Sequence, residues 1–350
     1  MLDTRAYAAF DPKSPFRPHR IARREPGEHD VLIEILFCGV CHSDVHQVRN
    51  EWDNANYPMV PGHEIAGRVT RVGSKVTRFS AGDPVGVGCF VDSCRRCPSC
   101  LKGEEQFCDG PLVFTYNGFE KDGKTPTFGG YSSHIVVDEN YVLRIAKDAP
   151  LDRVAPLLCA GITTYSPLRH WKVEKGSRVA VLGLGGLGHM AVKLAAAMGA
   201  EVTLLSSSPS KKKDAARLGA HSFELTSDAA SLGALARRFD LLIDTVSAPH
   251  EIAGYAEMLR TDGTMVLLGV PEKPATLPAF PLIMRRRSIA GSLIGGIRET
   301  QEMLDFCAAR GITAEVETIP IQDIDRAYER MIKGDVRYRF VVDAASLKRT

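Results

Sequence analysis

Residues 178–198 read RVAVLGLGGLGHMAVKLAAAM, and this stretch decides the fold of the second half of the chain. The apolar run Arg178–Leu182 is typical of a strand buried on both faces, and the small residues after it predict a helix. Between them lies Gly183-Leu184-Gly185-Gly186-Leu187-Gly188, a G-x-G-x-x-G sequence in the strand-loop-helix context that this motif requires. Glycines permit a tight turn, and the amides at a helix N-terminus attract phosphate. The stretch therefore predicts a dinucleotide-binding loop.

The pattern around this loop predicts two domains. After residue 150, predicted strands at 178–182, 201–205, 241–244 and 264–268 alternate with helices, which is typical of a doubly wound parallel sheet. Before residue 150, strands dominate, at 31–37, 64–72, 84–88 and 131–137, and the chain ends on a strand at 339–342. We therefore expect an α/β protein in which a nucleotide-binding domain, residues 151–290, is inserted into a β-rich domain of residues 1–150 and 291–350.

Composition excludes several classes of protein. A length of 350 residues suits about two domains, and a formal charge of +2 is too small to indicate binding to nucleic acid or to a membrane surface. No run of about 18 apolar residues predicts a membrane span. Nine cysteines without a recognisable secretory signal indicate a reducing compartment, so we expect a cytoplasmic protein.

A lobe at about residues 89–110 contains four regularly spaced cysteines. Cys94, Cys97 and Cys100 are separated by two residues each, and Cys108 follows after seven more. Four thiolates complete a tetrahedral zinc site and leave no position for water or substrate, so this zinc would be structural. Unrelated or disulfide-linked cysteines and a nucleic-acid-binding zinc ribbon are the alternatives.

A second group of residues predicts an open metal site. Cys41 follows a predicted strand, and His63 and Glu64 open the next one. A catalytic zinc takes three protein ligands and leaves the fourth position open, and Cys₂His is one such ligand set. Cys41 and His63 supply two ligands, and Cys159 is available as the third. Glu64 could ligate when substrate is absent or act from the second coordination sphere, and Asp44 could orient a ligand.

These motifs together resemble the zinc-containing medium-chain alcohol dehydrogenases over essentially the whole chain. The segments that resemble the cinnamyl alcohol dehydrogenase and bacterial aldehyde reductase branch are FCGVCHSDVH (37–46), PGHEIAG (61–67), LLCAGITTYSPL (157–168), VLGLGGLGHMAVKLA (181–195) and GSLIGG (291–296). The resemblance implies a GroES-like catalytic domain and a Rossmann cofactor domain. It also implies two zinc ions per subunit: a catalytic one on Cys41, His63 and Cys159, with Glu64 as an alternative ligand, and a structural one on the four-cysteine lobe.

The end of the second Rossmann strand predicts the cofactor. An NAD enzyme usually has an acidic residue there, but residues 205–213 read LSSSPSKKK. Hydroxyl and ammonium groups suit a 2′-phosphate, so NADP(H) is the expected cofactor. By resemblance to SSS-x-x-K segments of the branch, Ser206, Ser207, Ser208 and Lys212 would hold that phosphate. Lys211 and Lys213 could instead form a solvated helix face.

The expected reaction is reversible hydride transfer between a nicotinamide and an alcohol or aldehyde, with zinc as the Lewis acid. By resemblance, Ser43 would pass the proton through the nicotinamide ribose to His46, a residue type that titrates near neutral pH. A plain surface position for His46 is the alternative.

The substrate and subunit arrangement are less well defined by the sequence. The branch has a Trp where this chain has Phe114, and an apolar pocket of Trp52, Tyr57, Leu112 and Phe114 suits aromatic or medium aliphatic aldehydes. Expected further cofactor contacts are Thr163, Gly269, Ser292, Leu293 and Ile294. The resemblance favours a homodimer, for which residues 279–284 and 290–294 could form the interface. The alternatives are a polyol, secondary alcohol or amino-alcohol dehydrogenase of the superfamily, or a zinc-free quinone reductase or structural protein on this fold.

Overall fold

A computed structural model describes residues 1–271 and 276–349; residues 272–275 and Thr350, which fall inside the expected domain ranges, lie outside the described residues. The strands are β1 (Leu2–Ala8), β2 (Arg17–Arg23), β3 (Asp30–Gly39), β4 (Ile65–Val72), β5 (Pro84–Val87), β6 (Phe90–Asp92), β7 (Val113–Phe114), β8 (His134–Asp138), β9 (Leu143–Arg144), β10 (Arg178–Leu182), β11 (Glu201–Ser206), β12 (Ser222–Leu225), β13 (Phe239–Asp244), β14 (Leu259–Leu267), β15 (Ser288–Gly291), β16 (Val316–Pro320) and β17 (Arg339–Asp343). The α-helices are α1 (His42–Val48), α2 (Pro98–Lys102), α3 (Leu151–Val154), α4 (Ala160–His170), α5 (Gly188–Ala197), α6 (Lys212–Leu218), α7 (Ala229–Ala234), α8 (Ile252–Glu257), α9 (Phe280–Ile283), α10 (Ile297–Arg310) and α11 (Ile324–Ile332). They form two compact units, one of residues 1–159 and 295–350 and the other of residues 160–294.

The first unit is built on a seven-stranded sheet. Its order is β16-β17-β3-β4-β5-β9, and β8 pairs with β3. Strand β3 is central because its apolar residues, Val31, Ile33 and Ile35 among them, are buried. Strands β3 and β4 are antiparallel, with Cys38 opposite Ile65. The end of β3 therefore lies beside the beginning of β4. The segment that follows β3 and the segment that precedes β4 are consequently close together.

The second unit contains a parallel sheet of order β12-β11-β10-β13-β14-β15. The side chains of Leu182, Leu205, Phe239, Leu242 and Met265 belong to one buried cluster. Successive strands go from β10 outward to β12 and then return to β13 on the other side of β10. In such sheets, ligands bind at the carboxyl ends of the strands where this reversal occurs. The chain leaves β10 at that point through the glycine-rich loop.

The predicted alternation of parallel strands and helices is confirmed, but some details differ. The strand predicted at 131–137 begins only at His134, because Tyr131 instead pairs with Tyr7 and Pro61 through its backbone. Strand β14 begins at Leu259, five residues earlier than predicted. The β1–β2 hairpin and α1 had no sequence-based prediction. Among the described helices, none combines the length and hydropathy needed to cross a bilayer.

Candidate metal and cofactor sites

The four cysteines of the lobe converge on one point. The sulfur atoms of Cys94, Cys97, Cys100 and Cys108 all lie within 4.8 Å of one another, and the Cys94–Cys100 separation is 3.9 Å. Sulfurs bound to tetrahedral zinc at about 2.3 Å are roughly 3.8 Å apart, whereas disulfide sulfurs are about 2.0 Å apart. Every cysteine in the chain is free. The spacing therefore fits a four-thiolate metal site and excludes the disulfide alternative.

Backbone N–H groups of this lobe favour the negatively charged thiolate form of its cysteines. The N–H groups of Cys94, Cys97 and Gly110 each donate to a cysteine sulfur at 3.3 Å. The backbone N–H groups of Arg96 and Cys97 lower the pKa of the Cys94 thiol to about 6. The thiolate is the form that binds metal, so the loop backbone favours the metal-binding state.

A second cluster lies where β3 ends and β4 begins. Ligand atoms of Cys41, His63, Glu64 and Cys159 lie within 4.8 Å of one another, and all four residues are buried. The two sulfurs are 3.9 Å apart, again the separation expected for two thiolates on one zinc ion. The Cys159 thiol lowers the pKa of Cys41 well below its ordinary value. The donor set fits zinc, and its three sulfur and nitrogen donors leave a fourth tetrahedral position.

Asp44 orients this cluster from the first turn of α1. Its side chain accepts hydrogen bonds from the backbone N–H groups of Cys41, at 2.9 Å, and Gly62, at 3.2 Å. The same carboxylate contacts His63 Nδ1 at 3.1 Å, which leaves Nε2 for the cluster. A carboxylate on the second nitrogen is the usual way in which a metal-binding histidine is held.

Glu64 is buried with an unusual partner. Arg339 Nη2 donates to Glu64 Oε1, and both side chains are almost completely buried. Glu64 Oε2 has no hydrogen-bond partner among the described residues. Burial raises the pKa of Glu64 to about 7, although the Arg339 guanidinium opposes the rise. An unpartnered carboxylate oxygen beside two thiols and an imidazole is an atom that a cation would satisfy.

The two residues expected to carry the proton lie on α1. Ser43 Oγ is 3.7 Å from Cys41 Sγ, and His46 is one helical turn further on. His46 Nδ1 contacts a carboxylate oxygen of Glu51, and the ring stacks on Trp52 at 5.2 Å between centroids. His46 therefore has two side-chain contacts, one at the edge of its ring and one on its face. Glu51 had no predicted role, because nothing in its sequence spacing indicates this contact.

The expected substrate-pocket residues lie in different environments. Trp52 and Phe114 are exposed, and Leu112 and Tyr57 are half-buried. The Tyr57 hydroxyl donates to the Val48 carbonyl at 2.6 Å, so its polar end is occupied by the end of α1. Tyr116, which had no predicted role, stacks on the His63 ring with 5.9 Å between centroids.

The glycine-rich loop joins β10 to α5. Gly183 has φ +90°, and a Cβ at Gly188 would overlap the Gly183 carbonyl, so both positions require glycine. Lys211 Nζ donates to the Leu184 carbonyl at 2.6 Å, whereas Lys212 is exposed. The lysine that reaches the loop is therefore Lys211, for which a solvated helix face was one of the expectations.

The remaining predicted cofactor residues lie at several positions of the second unit. Ser206 is buried at the end of β11, Ser207 is exposed, and Ser208 donates its backbone N–H to Ser206 Oγ at 3.3 Å. Thr163 is buried in α4, and Gly269 lies two residues beyond β14, with its N–H donated to the Asp244 carbonyl. Residues 292–294 follow β15, and Ile294 is buried while Leu293 is exposed.

Comparison with protein families gives two matches. Residues 27–147 match the family described as alcohol dehydrogenase GroES-like domain. Residues 186–309 match the family described as zinc-binding dehydrogenase. The first match spans most of the β-rich unit that precedes α3, and the second begins within the glycine-rich loop, at Gly186.

Individual relatives cover nearly the whole chain. An NADP-dependent alcohol dehydrogenase C of Mycolicibacterium smegmatis is 58% identical over 99% of this chain and 100% of its own length. Aldehyde reductase YahK of Escherichia coli is 53% identical over 99% of each chain. A solved structure of a cinnamyl alcohol dehydrogenase from Sorghum bicolor is 47% identical over 98% of each chain, with a TM-score of 0.95. The chain belongs to the zinc-containing medium-chain alcohol dehydrogenases.

Proposed function

We propose that this protein interconverts primary alcohols and aldehydes, with NADP(H) as the redox cofactor and a catalytic zinc ion held by Cys41, His63 and Cys159. The observation that carries the proposal is the buried cluster whose two sulfurs lie 3.9 Å apart beside an imidazole. The four-cysteine lobe would hold a second, structural zinc ion. Relatives named as an NADP-dependent alcohol dehydrogenase and an aldehyde reductase support the reaction class.

The chain's own residues would organise the reaction around these groups. When bound, zinc polarises the substrate oxygen and NADP(H) supplies or accepts the hydride. Asp44 fixes the orientation of His63. Glu64 Oε2, which has no hydrogen-bond partner among the described residues, offers an alternative ligand for the zinc ion. The Ser43 hydroxyl both donates and accepts, so it can pass a proton toward His46, whose ring contacts the Glu51 carboxylate.

Residues 151–290 would form the NADP-binding domain, and residues 1–150 with 291–350 the catalytic domain. The pyrophosphate would lie on the glycine-rich loop, Gly183–Gly188, with Thr163, Gly269 and residues 292–294 as further contacts. Ser206, Ser207, Ser208 and Lys212 would hold the 2′-phosphate. We add Lys211 to this set, because its ammonium group already contacts the Leu184 carbonyl at the loop. Trp52, Tyr57, Leu112 and Phe114 would line an apolar pocket for aromatic or medium aliphatic aldehydes.

A homodimer in the cytoplasm is the proposed form of the enzyme. Strand β15 is the edge of its sheet, and the neighbouring helix α9 exposes Phe280 and Ile283 by 72% and 71%, followed by Met284 by 68%. An edge strand in a unit that also exposes apolar side chains is suited to pairing with a second copy. The free cysteines and two thiolate clusters suit a reducing compartment.

The test combines metal analysis with a cofactor and substrate comparison. The purified enzyme should contain two zinc ions per subunit and reduce benzaldehyde and butanal with NADPH far faster than with NADH. Cys41→Ser should lose turnover and one zinc ion but retain its fold by circular dichroism. Protein without zinc, or a preference for a polyol such as sorbitol over both aldehydes, would contradict the proposal.

A further inference from the structure

The loop of residues 50–56 carries two side chains that contact His46. Glu51 lies on the ring edge, at Nδ1, and Trp52 lies on the ring face, with 5.2 Å between centroids and 28° between planes. The ring is therefore held from two directions by consecutive residues. His42, one turn earlier on α1, is a further titratable side chain near His46, with 6.3 Å between ring centroids.

The loop is itself fixed by one distant side chain. Asn117 Nδ2 donates to Gln47 Oε1 at 2.6 Å, on α1, and to the Asn54 carbonyl at 3.2 Å, in the loop. Its Oδ1 accepts from the Asn56 backbone N–H at 2.7 Å. This amide group therefore adds to the direct contact between loop and helix, in which the Glu51 N–H donates to the His46 carbonyl at 2.9 Å. Asn117 has φ +58°, a conformation that asparagine tolerates better than most residues.

We propose that Trp52 is a positioning residue for His46, and that Asn117 maintains this arrangement by holding the loop of residues 50–56. The proposal rests on the proposed function, in which His46 takes part in proton transfer. A histidine ring that passes protons must present its nitrogens in fixed directions. The Glu51 contact defines the direction of Nδ1, and the flat indole face opposes rotation of the ring out of this plane. Indole also attracts a cation over its face, so the stack persists when the ring is protonated.

Tryptophan emission reports this contact without any turnover. The chain has two tryptophans, and Trp171 also lies against a histidine, His170, at 4.5 Å. A Trp171→Phe background leaves Trp52 as the only tryptophan, which can be excited selectively over the nine tyrosines. Because an imidazolium quenches a stacked indole, His46→Gln in this background should raise the emission of Trp52 at pH 5, whereas the matched control His42→Gln should leave it unchanged. Equal emission with and without the His46→Gln change would overturn the stacking arrangement.

The second arm measures the consequence for the reaction. Trp52→Leu should lower kcat for alcohol oxidation by roughly 10- to 100-fold, the loss typical of a misplaced catalytic group, and Trp52→Phe should restore most of it. Asn117→Gly, which removes the amide but keeps a residue suited to positive φ, should lower kcat in the same direction. If Trp52 only lines the substrate pocket, Trp52→Leu will instead raise KM for the alcohol with kcat unchanged, and that outcome contradicts the proposal. Because the emission difference between the wild-type and His46→Gln side chains needs no activity, observing it in a protein that does not oxidise alcohols would separate failure of the proposed function from failure of this inference.

Discussion

Replacing Arg339 by methionine should destabilise the protein by about 3–5 kcal/mol, the usual cost of removing one partner of a buried ion pair. The Arg339 and Glu64 side chains are 4% and 0% exposed, so solvent cannot compensate the carboxylate that remains. One oxygen of that carboxylate already lacks a partner among the described residues. For a unit of this size, the loss corresponds to a fall of about 6–20 °C in Tm. Methionine has a similar length, so the change tests charge more than volume.

The loss of stability caused by Arg339→Met should also depend on pH. Burial raises the pKa of Glu64 to about 7 even with the opposing Arg339 charge, so the carboxyl without Arg339 keeps its proton to still higher pH. At pH 6 the carboxyl is mostly protonated in both proteins and the variant loses less stability. As the pH rises above 7, only the wild-type protein stabilises the ionised Glu64 carboxylate. The difference in unfolding free energy between the two proteins therefore grows.

The assay is urea unfolding at pH 6, 7 and 8 on chelator-treated protein, where no cation competes for the carboxylate. Arg20→Met is the matched control, because the Arg20–Asp3 pair is exposed and its loss should have little effect. Glu64→Gln combined with Arg339→Met should recover part of the stability, since it removes the uncompensated charge. If Arg339→Met unfolds with the same midpoint as Arg20→Met at pH 8, the reasoning about the buried pair is wrong.

The other predictions concern the cofactor and the two metal sites. Ser206→Asp should shift preference from NADPH toward NADH by about 10-fold or more, because a carboxylate repels the 2′-phosphate, and unchanged ratios of kcat/KM would reject this assignment. Lys211→Met should raise KM for NADPH, while Lys213→Met, its exposed neighbour, should leave KM unchanged; equal effects of both variants would contradict a specific contact at the loop. Cys97→Ser should lose one metal ion and lower Tm because the lobe loses its cross-link, as metal analysis and thermal unfolding would show. A Tm equal to that of the wild-type protein would mean that the lobe needs no metal.

The sequence was most informative where function restricts local spacing. The glycine-rich loop requires glycine at Gly183 and Gly188 for reasons of backbone geometry, and its flanking strand and helix have clear hydrophobic patterns. The regular spacing of the lobe cysteines likewise predicts convergence within one short loop. The β1–β2 hairpin gave no comparable signal, because its inward positions on β1 are the small or polar residues Thr4, Ala6 and Ala8.

Contacts between distant segments could not be predicted in this way. Arg339 contacts Glu64 across 275 residues, and Tyr116 reaches His63 from a strand end of another sheet. Each contact depends on how strands pair, which neither residue type nor spacing indicates. Lys211 and Lys212 are adjacent, and only the start of α6 determines which of the two ammonium groups lies toward the glycine-rich loop.

Asp44 links the metal cluster to the proton path through a single carboxylate. It caps α1 at the Cys41 N–H and fixes His63 from the same side chain. Because Ser43 and His46 belong to that helix, a shift of Asp44 would move a proposed zinc ligand and the proposed relay together. The loop held by Asn117 fixes the other end of this helix, where Trp52 meets His46. The helix is only seven residues long, too short to be stable by itself, so its geometry must come from contacts such as these two and the hydrogen bond from Tyr57 to the Val48 carbonyl. The arrangement explains how a short helix can hold a hydroxyl and an imidazole at fixed distances from a buried metal site while one of its ends remains near solvent.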